Sequence, residues 1–433
     1  MYDKSILNQE LLAELEIKRE QMRREGFRAA VPAIGEDGAE ALGYLYGIYE
    51  GKMYLWLADL WEPEIGAFYY SNSGRDTEGF LPDIESTMQA ISFINTSGLS
   101  QAVGGDVRAT PPAYMREPIA KFAMGLQDPD GYFYHPQWGK NIGTSRRGRD
   151  LNWSLDAVET FGGTLRYPSP LEKNADSAPS SLLPEHLRTV EAFKVYLSAL
   201  DLANSSYSVG NLIQSQVPQI KAAGQEYVDT LISWYNANQN SENGTWESEV
   251  KYASTNGLMK VALAYSAIGA KFPNAEKAME AAIEVTLSPK PSGQITSMYN
   301  PWVTMKILIN NLASYGEEKI ANAMTARMQE NAARMIISTA DKIKVFRKPD
   351  GSFSYSPNNS AARSQGAPVA TPGTNEGDIN GNALASTGAV RNICQSLDVP
   401  LVRLFCKEDG ELFFKLLESS YPSKKIYPPA VFN

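Results

Sequence analysis

The chain has 433 residues, of which 43% are hydrophobic and 21% charged, with 33 glycines and 25 prolines. This composition is typical of a globular protein and excludes a disordered chain, a collagen-like fibre and a coiled coil. The formal net charge of -9 argues against a nucleic-acid-binding protein, because such proteins are usually basic.

Apolar residues recur with helical periodicity along the whole chain. Leu187, Val190 and Phe193, for example, fall on one helical face. The predicted helices, in chain order, cover residues 6–25, 37–60, 83–96, 112–126, 151–161, 186–203, 212–237, 251–269, 274–287, 301–314, 316–343, 380–397 and 408–419. Signals for β-hairpins are almost absent, and no linker rich in Pro, Ser and Gly divides the chain. We therefore predict one all-α domain over residues 1–433, with the helix 6–25 at its periphery.

Cysteine and histidine are too scarce to supply a common metal or disulfide framework. Cys394 and Cys406 form no CxxC pair, and His135 and His186 cannot make a multi-histidine zinc site. We expect no metal and no cofactor. The N-terminal segment is charged and lacks the apolar core of a signal peptide, and no apolar run of 18 residues occurs. These features favour a cytoplasmic location and no membrane partner.

A short phrase, glycine followed two residues later by an aromatic residue, recurs after turn-forming residues. The four copies are Gly66-Ala-Phe68, Gly131-Tyr-Phe133, Gly244-Thr-Trp246 and Gly351-Ser-Phe353. Their separations fit a repeat of roughly 50 to 65 residues with one degenerate copy, which is longer than the common helical-pair solenoids. The repeat predicts pairs of helices closed into a ring.

The second and third copies carry a family resemblance. The segment from Gln127 to Phe133 resembles the Q-x-x-x-G-x-W repeat of the squalene cyclase and protein prenyltransferase superfamily, and the segment from Gln239 to Trp246 is a stretched copy. The resemblance implies an all-α, (α/α)6-type toroid of helical hairpins with long polar loops on one rim. Such toroids also occur in polysaccharide lyases and glycoside hydrolases. The cyclase motif D-x-D-D is absent, and the prenyltransferase zinc ligands cannot be matched, which argues against both terpenoid activities.

The fourth residue after each repeat glycine is a candidate for proton transfer. These residues are Tyr70, His135, Ser248 and Tyr355. Residues two apart in an extended segment point to one side, so the aromatic residue would anchor the segment and the later residue would place a polar group beside it. In a ring of repeats, the two tyrosines and His135 would converge on the axis. Alternatively, they are boundary residues whose polar atoms reach solvent or backbone.

Polar loops follow the repeat glycines, and each contains arginine together with Asn or Gln. Arginine binds carboxylates through two parallel hydrogen bonds, so these loops indicate an anion site. The alternative is that the arginines form ion pairs with Asp76, Asp150 or Glu376. Aromatic rings near the same loops suit sugar faces, although Trp153 could equally fill the core. The candidates for substrate binding are Asn72, Arg75, Tyr134, Trp138, Arg147, Arg149, Asn152, Trp153, Asn358, Arg363, Glu376 and Asp378.

Three helices open with the pattern Asp-x-Glu or Asp-x-Asn. The aspartates Asp83, Asp150 and Asp378 are expected N-caps, because an aspartate oxygen accepts the free backbone N–H groups at a helix start. The residues two positions later are Glu85, Asn152 and Asn380. If these helices form the inner ring, those side chains would rim a bowl whose partial positive charge favours anions.

Two reactions fit these residues, and we expect an oligosaccharide substrate that is anionic. A lyase that acts on uronates by β-elimination would use Tyr70, His135 and Tyr355 as base and acid, with Arg and Asn stabilising the enolate. Toroidal polysaccharide lyases use a similar set of residue types. A glycoside hydrolase would instead need two carboxylates, for which Glu85, Glu376 and Asp378 are candidates. A non-catalytic glycan-binding toroid is the third possibility, and the sequence does not indicate an oligomeric state.

Overall fold

A computed structural model describes residues 1–171, 183–423 and 425 of the chain. Most of these residues are helical. The α-helices are α1 (Gln9–Tyr46), α2 (Lys52–Asp59), α3 (Asn72–Asp76), α4 (Ile84–Ser97), α5 (Ala113–Gly125), α6 (Thr144–Phe161), α7 (Val190–Ser198), α8 (Ser206–Gln214), α9 (Val217–Ala223), α10 (Gln225–Asn238), α11 (Tyr252–Ile268), α12 (Ala275–Leu287), α13 (Thr296–Ser314), α14 (Glu318–Glu330), α15 (Ala332–Lys344), α16 (Ile379–Ala383), α17 (Ala389–Ser396) and α18 (Lys407–Glu418). The predicted all-α class is confirmed.

Short 3-10 helices and two small hairpins complete the secondary structure of the described residues. The 3-10 helices are Lys4–Ile6, Leu99–Val103 and Glu185–Leu187, and a π-helical turn, Leu384–Gly388, joins α16 to α17. In the first hairpin, β1 (Trp61–Glu62) pairs antiparallel with β2 (Ala67–Phe68), with Trp61 opposite Phe68. In the second, β3 (Arg363–Ser364) pairs with β4 (Ala367–Pro368), with Arg363 opposite Pro368.

Several predicted helix boundaries are wrong. The predicted helices 37–60, 212–237 and 316–343 are each interrupted, the first between α1 and α2, the second at the ends of α9, and the third between α14 and α15. The chain stays helical through Pro32 and bends at Gly35, whose φ is 70°, so the expected gap between residues 25 and 37 is only a kink. Helix α6 begins at Thr144 instead of residue 151. Asp150 therefore lies inside α6 and is not its N-cap, whereas Asp83 and Asp378 do cap α4 and α16.

In all four copies of the Gly-x-aromatic phrase, the glycine occupies the left-handed position of a turn. The repeat glycines have φ values from 71° to 82°, a region that favours glycine. The aromatic residues that follow are at most 2% exposed, which confirms that they anchor the turn. Each glycine also allows close packing, because a Cβ atom at Gly66 would lie 2.3 Å from Pro118 of α5, and one at Gly244 would lie 2.4 Å from Ala278 of α12.

Helix contacts follow chain order and then return to their start. Helix α4 packs against α6, α6 against α8, α8 against α11, α11 against α13, and α13 against α17. Helix α16 packs back against α4, and the last repeat glycine, Gly351, lies against Lys52 of α2. The final repeat therefore contacts the first. Among the described residues, no helix is both long and apolar enough to cross a bilayer.

The contact between α8 and α11 depends on two glycines. A Cβ atom at Gly257 would lie 2.0 Å from Oγ of Ser206, and one at Gly210 would lie 2.9 Å from Cβ of Lys260. The two helix backbones can approach closely only because neither position carries a side chain.

We predict that Gly257→Ala destabilises the protein although alanine favours helices. Helix propensity alone would add about 1 kcal/mol of stability, but the clash with Ser206 should produce a net loss of roughly 1 to 3 kcal/mol. Gly43→Ala in α1 is the matched control, because its Cβ would make ordinary contacts of 3.8 Å with Phe27. Urea unfolding measures both variants, and a Gly257→Ala protein as stable as Gly43→Ala would contradict the predicted packing.

Candidate functional site

A cavity of about 830 Å³ lies among the helices that contact one another in series. Its wall includes Glu85 of α4, Arg149 of α6, Asn211 of α8, Lys260 of α11 and Asn300 of α13. Helix α16 and the loop before it complete the wall. The further lining residues used below are Tyr70, Gln89, Asn152, Trp153, Asp156, Tyr207, Tyr299, Tyr355, Arg363 and Asn380.

Tyr70 and Tyr355, two of the predicted catalytic residues, both line the cavity. The side chain of Tyr70 is 3% exposed, and the carboxylate of Asp378 lies close enough to raise the pKa of its hydroxyl. Asp378 also accepts hydrogen bonds from the backbone N–H groups of Tyr355 at 2.7 Å and Gly381 at 2.6 Å. The N–H of Ile379 donates to the carbonyl of Tyr70 at 2.9 Å. The start of α16 thus brings the two tyrosines to one site.

Burial sets the protonation of this group. Burial raises the pKa of Asp378 to about 6, although its hydrogen bonds to backbone N–H groups and Tyr70 act in the opposite direction. Burial, with Asp378 as the next cause, raises the pKa of Tyr70 well above its ordinary value. Burial also raises the pKa of Tyr355. At neutral pH both tyrosines therefore carry their protons, and Asp378 is mostly ionised.

Glu85, the third predicted catalytic residue in the cavity, is held by two arginines. Its oxygens accept hydrogen bonds from Arg149, from Arg146 at 3.2 Å and from the hydroxyl of Ser364 at 2.9 Å. Burial would raise the pKa of Glu85, but Arg149 and Arg146 outweigh it and lower the pKa. Glu85 is therefore an ionised group whose oxygens are already engaged.

Arg146, which the sequence did not single out, organises this region. The guanidinium is fully buried and contacts Asp150 at 2.8 Å, Glu85 at 3.2 Å and Asp83 at 3.3 Å. It also lies 4.7 Å from the ring centroid of Trp138. Charge–charge attraction to three carboxylates outweighs the desolvation of Arg146, so its pKa is raised, and burial raises the pKa of Asp150 to about 6.

His135 does not line the cavity, unlike the two tyrosines at the same repeat position. Its ring stacks on Trp138 with centroids 4.0 Å apart, and Nε2 lies 2.9 Å from the carbonyl oxygen of Pro82. Burial lowers the pKa of His135 to about 3. The structure therefore places a neutral imidazole beneath the Arg146 cluster.

Four predicted substrate-binding residues line the cavity and eight do not. Arg149, Asn152, Trp153 and Arg363 lie in its wall. The residues outside the lining are Asn72, Arg75, Tyr134, Trp138, Arg147, Asn358, Glu376 and Asp378.

The contacts of several residues outside the lining explain their positions. Arg75 pairs with Asp59 at 3.0 Å and Asp76 at 2.7 Å, which confirms the ion-pair alternative for this arginine. Glu376 accepts hydrogen bonds from hydroxyl groups, including Ser71 at 2.8 Å and Ser360 at 3.1 Å. These side chains hold loops together.

Tyr134 and Arg147, which follow the second repeat glycine, also lie outside the cavity lining. Tyr134 donates to Asp130 at 2.9 Å, and the guanidinium of Arg147 lies 5.1 Å from the ring centroid of Tyr132. Within the described residues, no three His, Cys, Asp or Glu side chains are arranged to hold a metal ion.

Several cavity residues were missed, and Lys260 had the clearest signal. Its sequence neighbours Leu258, Met259, Val261 and Ala262 are apolar, so a lysine in their midst is unexpected. Burial lowers the pKa of Lys260 to about 7. Other missed residues of the cavity lining are Tyr207, Asn211 and Asn300.

Comparison with protein-family models, with curated proteins and with solved structures found no match to this chain.

We predict that His135→Gln reduces the acid sensitivity of the fold. In the unfolded chain the imidazole takes up a proton near pH 6.5, whereas in the folded protein it does so only near pH 3. Wild-type stability should therefore fall, from this group alone, by about 1.4 kcal/mol per pH unit below pH 6.5. Urea unfolding of both proteins between pH 7.5 and 4.5 measures the difference, and parallel pH curves would contradict the buried neutral state.

Proposed function

We propose that the chain is an (α/α)6-type toroid and a lyase that cleaves uronate-containing oligosaccharides by β-elimination. The helix contacts that return from α16 to α4 support the toroid. The observation that carries the lyase proposal is the placement of Tyr70 beside the carboxylate of Asp378, at the wall of a cavity that is also lined by Tyr355 and arginines.

The nearby carboxylate of Asp378 fits Tyr70 for the role of base. Tyr70 would donate its hydroxyl proton to this carboxylate, which would leave a lone pair of its oxygen to accept a proton from the substrate. As Tyr70 takes the proton from C5 of the uronate, its own proton passes to Asp378, whose raised pKa suits it as an acceptor. No free tyrosinate is needed in this transfer.

Tyr355 fits the role of acid. Its hydroxyl is protonated at neutral pH, as any tyrosine with an ordinary or raised pKa is, and it can donate that proton to the leaving glycosidic oxygen. The electron pair of the C5–H bond forms the C4–C5 double bond, the C4–O bond breaks, and the leaving sugar departs with a hydroxyl group. Solvent then returns a proton to Tyr355 and removes one from Asp378.

The remaining wall suits a sugar. Amide side chains project from successive helices, with Asn152 on α6, Asn211 on α8, Asn300 on α13 and Asn380 on α16. Amides can both donate to and accept from sugar hydroxyl groups. Arg149 is fixed by Glu85 and by Asn211 at 3.1 Å, so it can face developing negative charge without reorganisation.

Glycoside hydrolysis has less support because the three proposed carboxylates are occupied. Glu85 is held ionised by arginines and cannot easily act as an acid. Glu376 is bound by serines outside the cavity lining, and Asp378 lies behind Tyr70. A general acid and a second free carboxylate are what hydrolysis requires.

The proposal predicts an unsaturated product. Incubation with oligogalacturonates or glucuronate-containing oligosaccharides should raise the ultraviolet absorbance of the conjugated C4–C5 double bond. Tyr70→Phe should lower the rate by about 10²- to 10⁴-fold, as expected for loss of a positioned base. Tyr315→Phe, whose hydroxyl donates to Gly269 away from the cavity, is the control and should retain full activity. Reducing ends without new absorbance would indicate hydrolysis and overturn the proposal.

The fall of kcat/KM at acid pH, the acid limb of its pH profile, is a further prediction. Asp378 must be ionised to accept the proton from Tyr70, so kcat/KM should fall as the pH drops below about 6. Asp378→Asn, which can still cap α16, should lower the rate and remove this limb. An unchanged acid limb in an active Asp378→Asn protein would exclude Asp378 as the proton acceptor.

A further inference from the structure

Lys260 is a buried cation fixed in the wall of the cavity. Its side chain lies in the middle of α11, is 8% exposed and lines the cavity. The close contact of α11 with Gly210 restricts the Cβ of Lys260, and Nζ lies 5.8 Å from the ring centroid of Tyr207. Helix packing therefore fixes the base of the Lys260 side chain, and its ammonium group lies near the ring of Tyr207.

No carboxylate of the described residues forms an ion pair with Lys260. Glu85 is the one acidic group that acts on it appreciably, but Glu85 is already paired with Arg146 and Arg149. A buried charge without a partner is costly. In the free protein the amino group of Lys260 has no counter-ion among the described residues, although it lies beside a cavity large enough for sugar rings.

The elements around Lys260 supply few other charges. Helix α4 contributes Glu85, α6 contributes Arg149 and the Arg108-paired Asp156, and the loop before α16 contributes Arg363. The titratable groups of α8 and α13 at the cavity are Tyr207 and Tyr299, and the same loop also contributes Tyr355. No titratable side chain of α9 or α12, which also pack on α11, lines the cavity.

Polar side chains share the cavity wall with Lys260. Gln89, Asn211 and Asn300 line it, and amides can both donate to and accept from sugar hydroxyl groups. The cavity thus presents a cation for an acid group and amides for hydroxyl groups.

We infer that Lys260 binds the carboxylate of the sugar acid, so that the site selects a free uronate over its ester. This inference rests on the proposed function for its substrate class. The bound carboxylate would supply the counter-ion that the protein lacks. An ester would leave the ammonium group buried and unpaired.

The affinity should depend on pH in a defined direction. Burial lowers the pKa of Lys260 to about 7 in the free protein, and a bound carboxylate raises it again. Binding therefore takes up a proton above pH 7. Affinity is greatest below pH 7 and falls up to tenfold per pH unit above it, until the pKa of the complex is reached.

The test is calorimetric binding of the methyl glycosides of galacturonate and glucuronate, each compared with its 6-methyl ester. These monosaccharides lack a glycosidic leaving group at C4, so binding is measured without turnover. Wild type should prefer at least one acid to its ester by tenfold or more at pH 6, and less at pH 8.5. Lys260→Met should lose this preference, and Lys260→Arg should keep it with little change between the two pH values.

The matched control is Lys342→Met. Burial also lowers the pKa of Lys342, but its ammonium donates to the carbonyl of Thr286 at 2.8 Å outside the cavity lining, so binding should be unchanged. Thermal unfolding verifies that each variant is folded.

The outcomes distinguish the role of Lys260 in binding from the lyase activity. A folded Lys260→Met protein that still prefers the acid overturns the role of Lys260, even if unsaturated product is formed. A wild-type protein that prefers neither acid to its ester also overturns it. Selective binding that depends on Lys260, without any unsaturated product from oligosaccharides, supports this inference and overturns the proposed lyase activity.

Discussion

The buried guanidinium of Arg146 is the contact on which the cavity wall depends. It joins the start of α4, through Asp83 and Glu85, to Asp150 one turn further along α6. Removing one member would leave an unpaired buried charge, which typically costs 3 to 5 kcal/mol. Because Glu85 is fixed here, it can in turn hold Arg149 at the cavity. The ordering of one buried ion cluster thus extends to a group that faces the proposed substrate.

Local chemistry made part of this structure predictable from the sequence. The Gly-x-aromatic phrase needs positive φ and a buried ring, and both requirements are visible in residue types alone. The N-caps Asp83 and Asp378 follow from the same kind of local rule. Tyr70 and Tyr355 then meet at the start of α16, where the N–H of Ile379 donates to Tyr70 and Asp378 accepts from the N–H of Tyr355. The toroid itself stays a proposal.

Contacts between distant segments account for what the sequence could not indicate. Trp138 stacks between His135 and Arg146, and this packing directs the imidazole to Pro82 instead of the cavity. The ion pairs of Arg146 also stabilise the first turn of α6, so the residues from Thr144 onward form a helix although their composition is typical of a loop. Lys260 faces the cavity because glycines bring α8 against α11. Each of these outcomes depends on which segments meet, and no single window of sequence contains that information.

The cations of the cavity differ in how far their charge is already compensated. Arg149 is held by Glu85 and Asn211, so it is preorganised but nearly neutralised. Lys260 has no such partner and retains its attraction for an anion. A substrate carboxylate would therefore be attracted most strongly to Lys260. The fixed dipole of the Arg149–Glu85 pair would then act on the negative charge that develops during the reaction. Separating the two tasks avoids the need for one group to bind strongly in both the ground state and the transition state.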